Sequence, residues 1–400
     1  MEVLYDKEKI KAIDAFMKAL LEAEGSAAKN AVYAHYKPSI QQIEPIDLFR
    51  LHLYQDASNI PIDTIKESAN RFVNVFQQPL KAHAKAFTSH PLLHRLDLEN
   101  TAILKHLDAT KRLISRNDFD TDRDSLHQAF EACLDLEKKF VKKENILFPA
   151  LEDNVPSNRP LTVMWSLHDD ARKELKQLLH SLSAPLESIT ELKSLLGSYY
   201  YLIYGLIEKE RLILFPVAHD YLKPDDAARQ VAEADAIGYA FEMPLTDTFQ
   251  PEKPVFDEAQ PLTLPTGQLT LGELTQMLDH LPLDITFVGE DDRVRYFNNT
   301  QARYFPRTAS IIGRHVEHCH PEKSVRTVKE ILSAFKAGTQ DMARFHISHK
   351  EHFVVIDYYA VRDRKGQYRG VLEVSQNIED LQKLSGEKRL LNWKGAPHHE

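Results

Sequence analysis

Lys143-Glu144-Asn145-Ile146-Leu147-Phe148-Pro149 returns 67 residues later as Glu210-Arg211-Leu212-Ile213-Leu214-Phe215-Pro216. In each copy charged residues stand about one and a half helical turns ahead of an apolar Leu-Phe-Pro stop, and a proline seldom continues a helix. A histidine-bearing helical pattern lies upstream of each copy: His90-Pro91 to Asn100 before the first, Trp165 to Asp170 before the second. Two hairpins built alike can face each other around a shared polar site.

Outward from the repeat, residues 86–242 hold four long helical patterns: Leu92 to Ser115, Asp124 to Glu152, Pro160 to Leu182 and Ser188 to Tyr221. The connections between them are short, which makes neighbours antiparallel and predicts an up-down four-helix bundle. Ahead of it, residues 1–85 read as short helices punctuated by Pro38, Pro45 and Pro61, a helical module without a titratable cluster. Behind it, five prolines in 243–268 predict an extended, semi-rigid linker. The period then changes over 269–384. Asp284 to Val288 and Arg293 to Phe297 read as a hairpin, Lys323 to Lys336 as a helix ending at Gly338, and Asp341–His349, His352–Val361 and Tyr368–Ser375 as strands. An antiparallel sheet with a helical flank follows, and residues 385–400 form a tail. The fold class is multidomain, α plus α+β.

Composition removes several functions. A net charge of −9 argues against a nucleic-acid surface. No apolar run approaches the roughly 18 residues of a membrane span, and the polar start is not a signal peptide. Cys133 and Cys319 are the whole cysteine content, too few for a disulfide framework or a four-cysteine zinc site. A cytoplasmic protein is expected.

The four-helix block resembles hemerythrin-like (HHE cation-binding) domains at His90-Pro91 with His94, Glu99-Asn100, Lys143 to Pro149, Met164 to Asp170 and Glu210 to Pro216. The third block resembles a PAS domain at Asp284 to Val288, Tyr296-Phe297-Asn298, Ile312-Gly313-Arg314, His320-Pro321-Glu322 and Val371 to Val374. The first is similar to a helical domain of unknown function (438) found ahead of these two.

The resemblance implies a non-haem iron site of His and carboxylate ligands converging from four helices. His168 and Glu210 match ligand positions. Asn100, Lys139, Lys143 and Leu206 stand where other ligands are expected. The candidate ligands are therefore His90, His94, Glu144, His168 and Glu210, for di-iron or mononuclear iron. In the alternative, Lys139 and Lys143 neutralise Glu210 and Asp170 in a bundle without metal. For the PAS block, Ile285, Phe287, Phe345 and Ile356 are the candidate lining of a small-ligand pocket. His318 and His320, in the His315–His320 cluster, are the weaker candidates for haem.

Three readings follow. The first is a cytoplasmic sensor or regulatory protein that detects a small molecule or gas and acts through an unknown partner protein, with pairing of PAS domains as a route to a homodimer. The second is a metal-free interaction protein. The third is a di-iron enzyme or an iron–sulfur repair factor, which needs a fuller ligand set than this sequence offers; no nucleophile–base pair or phosphate loop is recognisable.

Overall fold

The computed structural model describes residues 6–56, 62–119, 121–183, 188–245, 257–300, 303–349 and 352–389. Residues 246–256 of the proline-rich linker, including Pro251 and Pro254, and the tail beyond 389 lie outside the described residues. The chain divides into two compact units, Met1–Val255 with Thr308–Arg326, and Phe256–Arg307 with Thr327–Glu400. No described helix is long and apolar enough to cross a membrane.

The first unit is helical. Helices α1 (Lys7–Glu22), α2 (Gly25–Ile40), α3 (Pro45–Asp56) and α4 (Ile62–Lys81) form the N-terminal module. Asp6 caps α1, accepting from the Glu8 and Lys9 amides at 3.1 Å. The apolar face of α1, Ile10, Ile13, Phe16 and Met17, is buried with Phe76 and Leu80, and Leu212 from the second repeat joins that core.

The bundle follows: α5 (Pro91–Ser115); α6 (Arg123–Glu131), α7 (Leu136–Lys142) and α8 (Phe148–Glu152); α9 (Arg159–Ser183); α10 (Ile189–Lys209) and α11 (Phe215–Tyr221); α12 (Ala227–Ile237) closes it. The second and fourth helices are not continuous. Each switches to a π-helical turn at the repeated motif, Lys143–Leu147 and Glu210–Leu214. The cause is local: each turn runs into Phe-Pro, with the Phe148 amide bonded to Lys143 O and the Phe215 amide to Glu210 O, one residue further back than in an α-helix. Pro149 has no N–H, so neither Asn145 O nor Glu144 O can be reached from it. Thr308 Oγ1 donates to Asn145 O at 2.8 Å and Arg314 Nη1 to Glu144 O at 2.8 Å. Arg314 is buried, also binds Glu152 at 2.5 and 2.8 Å, and lies over the Trp165 ring. Residues 308–326 thus belong to the helical unit.

The second unit is a five-stranded antiparallel sheet of order β4-β3-β7-β6-β5, made of β3 (Asp284–Gly289), β4 (Val294–Phe297), β5 (Met342–His349), β6 (His352–Arg362) and β7 (Tyr368–Asn377). Before it, where the sequence suggested linker, β1 (Pro261–Leu264) and β2 (Gly267–Thr270) form a hairpin leading into α13 (Leu271–Asp279), which opens on a Thr270/Glu273 capping box. Helix α14 (Glu322–Ala337) stops at Gly338 with φ 71°, as its sequence predicts. A short α15 (Glu379–Gln382) follows β7. Gly370 pairs with Gly289 at the β3–β7 edge. Its φ is 143°, and a Cβ there would sit 2.1 Å from Val288 O, so only glycine lets the strands close.

Directly paired residues of an antiparallel sheet point to the same face. Phe345, Ile356, Ser375 and Asp284 make one such row, and Tyr358, Glu373 and Thr286 the next. Ile356, Ser375, Asp284, Glu373 and Thr286 in these rows are buried, and the two rows define the inner face. Ile285 and Phe287 pair with Val374 and Leu372 on the opposite face. The four expected pocket residues therefore do not line one cavity: Phe345 and Ile356 are inner, Ile285 and Phe287 outer. The expectation failed because the sequence shows alternation along each strand and not the register between strands.

A lysine-filled candidate metal centre

The two π-helical turns bring Lys143 and Glu210, the opening residues of the two repeats, against each other. The Lys143 ammonium donates to Glu210 Oε1; Lys139 Nζ lies 3.1 Å from Glu210 Oε2, and Asn100 Nδ2 donates to the same oxygen at 2.9 Å. Lys139 Nζ also donates to Leu96 O at 3.0 Å. One turn along, Lys142 Nζ binds Glu99 Oε1 at 2.9 Å and donates to Gly238 O, while the Ala240 amide shares that carboxylate oxygen. All three lysines, both glutamates and Asn100 are buried. Burial alone would raise the Glu210 carboxyl, but Lys139 and Lys143 outweigh it and hold the group well below the usual carboxylate range. Burial also pulls the Lys142 and Lys143 ammoniums down to about 8, against the pull of Glu99 and Glu210.

Beside this cluster, His168 is sandwiched between the Phe140 and Phe148 rings at 4.5 and 6.0 Å. Burial, then Lys143 and Arg172, hold its imidazole neutral. A carboxylate can only accept, so Nδ1–H donates to Glu144 Oε1 at 2.8 Å and Nε2 presents a lone pair with no partner among the described residues. Arg172 fixes the other Glu144 oxygen at 3.0 Å and also binds Glu137 and Asp169.

The expected ligands separate into unlike environments. His168 and Glu144 meet each other. Glu210 has both oxygens taken by ammoniums and an amide. His90 is buried, its two ring nitrogens without a partner among the described residues, and lies near His219; His94 is exposed. Among the described residues no three His, Cys, Asp or Glu side chains come together to hold a metal ion. The His168–Glu144 pair has the form of an imidazole held by an outer carboxylate, as metal ligands are. Yet the neighbouring space is filled by two ammonium groups, which repel a divalent cation and occupy the carboxylate it needs. The residues present do not fit a di-iron or mononuclear site. The pairing foreseen for Asp170 is also different: its partner is Lys66, at 2.7 Å.

Sequence reading missed Lys142–Glu99 and Arg172. The visible signal was Lys139, Lys142 and Lys143 recurring at helical spacing on a helix whose other residues on that face are apolar. For the haem candidates, His320 Nδ1 is bonded to Val316 O at 2.8 Å and His318 Nδ1 lies 3.3 Å from Glu152. The cavity they line with Trp165 and Phe148 measures about 210 Å³, below the roughly 300 Å³ at which ligand pockets begin.

Family models match residues 92–218 as a hemerythrin HHE cation binding domain and residues 274–379 as a PAS domain. No curated protein matches the chain. Among solved structures, the C-terminal domain of a Streptococcus mutans protein is 35% identical, over 32% of this chain and 100% of that one, with a TM-score of 0.31. A sensory box sensor histidine kinase from Vibrio cholerae is 14% identical over 26% of this chain and 87% of that one, TM-score 0.21. The PAS domain of Bordetella pertussis BvgS is 18% identical over 28% and 92%, TM-score 0.23. The chain is a multidomain protein that joins a hemerythrin HHE cation binding domain to a PAS domain.

Proposed function

We propose that the chain is a cytoplasmic sensor or regulatory protein. In this reading the PAS domain receives a small-molecule signal, residues 308–326 hand it to the bundle, and a partner protein takes the output. One observation carries it. Thr308–Arg326 falls inside the PAS match but packs as part of the helical unit, with Arg314 and Thr308 bonded to the backbone carbonyls that Pro149 leaves free. A PAS domain that lends a segment to its neighbour has a covalent and hydrogen-bonded route by which to act on it. The bundle's part is scaffold rather than gas chemistry, because its lysines leave no open coordination position. A homodimer through the PAS domain is the accompanying expectation from the family.

Hydrogen exchange of the full chain tests the route. Ser375→Phe, a change on the inner face of the PAS sheet, is expected to alter protection at residues 143–149, and the effect is expected to vanish when Arg314→Leu is added. Unchanged protection at 143–149 in Ser375→Phe overturns the coupling.

A further inference from the structure

We propose that the inner face of the PAS sheet is a binding site for a small zwitterion, an α-amino acid with an apolar side chain, recognised by Arg307, Tyr358, Glu373 and Ser375. The proposal rests on the PAS domain being the receiving module, as above.

The polar groups on this face divide into two sets. The first is fully committed to the fold. Asp284 accepts from the Tyr304 and Phe305 amides at 2.7 and 3.2 Å and from Thr300 Oγ1 at 3.4 Å. Arg303 donates to Asn298 O, Asn298 Oδ1 and Phe305 O at 2.6, 2.9 and 3.2 Å. The second set makes no hydrogen bond or ion pair with any described residue. Ser375 is wholly buried with its Oγ unpartnered, and Arg307 has a buried, unpartnered Nε. Glu373 is a buried carboxylate, and Tyr358 stands directly opposite it on β6. Arg307 is close enough to Tyr358 to act on its ionisation. Buried polar atoms are costly when left unpaired, as Ser375 Oγ and Arg307 Nε are here, while the unpartnered Glu373 carboxylate and Tyr358 hydroxyl beside them stay open to a ligand.

What these groups lack defines what they take. Glu373 needs a cationic or N–H donor. Arg307 needs an acceptor, and its planar fork suits a carboxylate. Burial, then Glu373, keep the Tyr358 phenol protonated, so it donates as well. A simple anion would meet repulsion from Glu373, and a simple cation from Arg307. A molecule carrying both charges satisfies both. Its apolar part has a wall to lie on: Phe345, Ile347 and Ile356 share this face. Phe345 and Ile347 remain 37% and 38% exposed, and Phe345 sets its ring edge against Tyr358 at 6.0 Å.

Titration calorimetry of the full chain with L-leucine, L-isoleucine, L-valine, L-methionine and L-phenylalanine tests this. Isoamylamine and 4-methylpentanoate serve as the one-charge counterparts of leucine. At least one amino acid is expected to bind, and if leucine does, each counterpart is expected to bind about tenfold or more weakly. Glu373→Gln and Arg307→Met are each expected to raise the Kd about tenfold or more. No binding of any of the five at millimolar concentration overturns the proposal. So does equal binding of a one-charge counterpart, a comparison made on the unaltered chain and independent of how the variants fold. Native mass spectrometry that finds an uncharged or purely anionic molecule retained, and lost in Glu373→Gln, overturns the ligand class while leaving PAS sensing in place. The exchange experiment above fails or succeeds without reference to which ligand binds.

Discussion

Replacing Lys143 by methionine removes the ammonium that faces Glu210 and keeps nearly the same volume. Breaking a buried ion pair on one side costs about 3–5 kcal/mol, because the other charge is left uncompensated. Here Glu210 retains Lys139 at 3.1 Å and Asn100 at 2.9 Å, so the lower end, about 3 kcal/mol, is expected. For a unit of this size that corresponds to a fall of about 6–12 °C in Tm. Denaturation of the full chain, followed by far-ultraviolet circular dichroism, reads the helical unit. Lys138→Met, a half-buried neighbour paired only with the exposed Asp135 among the described residues, is the control and is expected to stay within about 1 kcal/mol. The triple variant Lys139→Met, Lys143→Met, Glu210→Leu removes all three charges. Apolar replacement of a whole buried charge cluster is often neutral or stabilising, so it is expected to be more stable than Lys143→Met alone. A loss below about 1 kcal/mol for the single variant, or a triple variant less stable than the single, would refute the view that these lysines are the counter-ions of Glu210.

Arg314→Leu leaves the Glu152 carboxylate with His318 alone at 3.3 Å and frees Glu144 O, and is expected to cost about 3 kcal/mol, read in the same denaturation assay. Stability is also expected to fall in two steps as the solution is acidified. His168 is held neutral in the fold, so from about pH 6.5 downward only the unfolded imidazole gains a proton. Glu210 is held ionised, so its contribution is present above about pH 4.5 and is lost as pH falls below that value. His168→Gln is expected to flatten the upper step and Glu210→Gln the lower one, by denaturation across pH. Incubation of untagged protein with ferrous iron or zinc, followed by desalting and elemental analysis, is expected to leave well under one metal ion per chain and an unchanged Tm; stoichiometric retention contradicts the lysine-filled centre. Gly370→Ala is expected to destabilise the PAS sheet by more than about 3 kcal/mol, measured by urea unfolding, because the new Cβ would meet Val288 O at 2.1 Å.

Helix and strand content was legible because it is written in local period. The four bundle helices, the Asp284–Phe297 hairpin and the stop at Gly338 all stand where spacing and turn residues placed them. What was not legible depends on pairing between segments distant in the chain. The inner and outer faces of the sheet follow from the β3–β7 and β6–β7 registers, which no single strand encodes, and the pocket expectation split between faces for that reason. At the bundle centre the residue types were visible, and the lysines at 139 and 143 already argued against iron. Their partners were half visible: Glu210 was foreseen, while Asp170 went to Lys66, and Lys142 found Glu99 across 43 residues. The π-helical turns could be read only in hindsight, from a proline placed where the turn needs an N–H.

Those turns give the duplicated motif a meaning other than two halves of a metal cage. Each copy ends in a proline that leaves backbone carbonyls without an intrahelical donor, and each copy receives another part of the chain. At the first, Thr308 and Arg314 supply the missing donors. At the second, Leu212 leaves the bundle core and enters that of the N-terminal module, while Ile213 packs against both. Lys143 and Glu210, the first residues of the two copies, tie the two docking points together through the bundle. A metal bridging the same helices would have held them as firmly but would have added an exchangeable, redox-active part. Ammonium groups hold the halves through ion pairs instead, which fits the scaffold role proposed for the bundle.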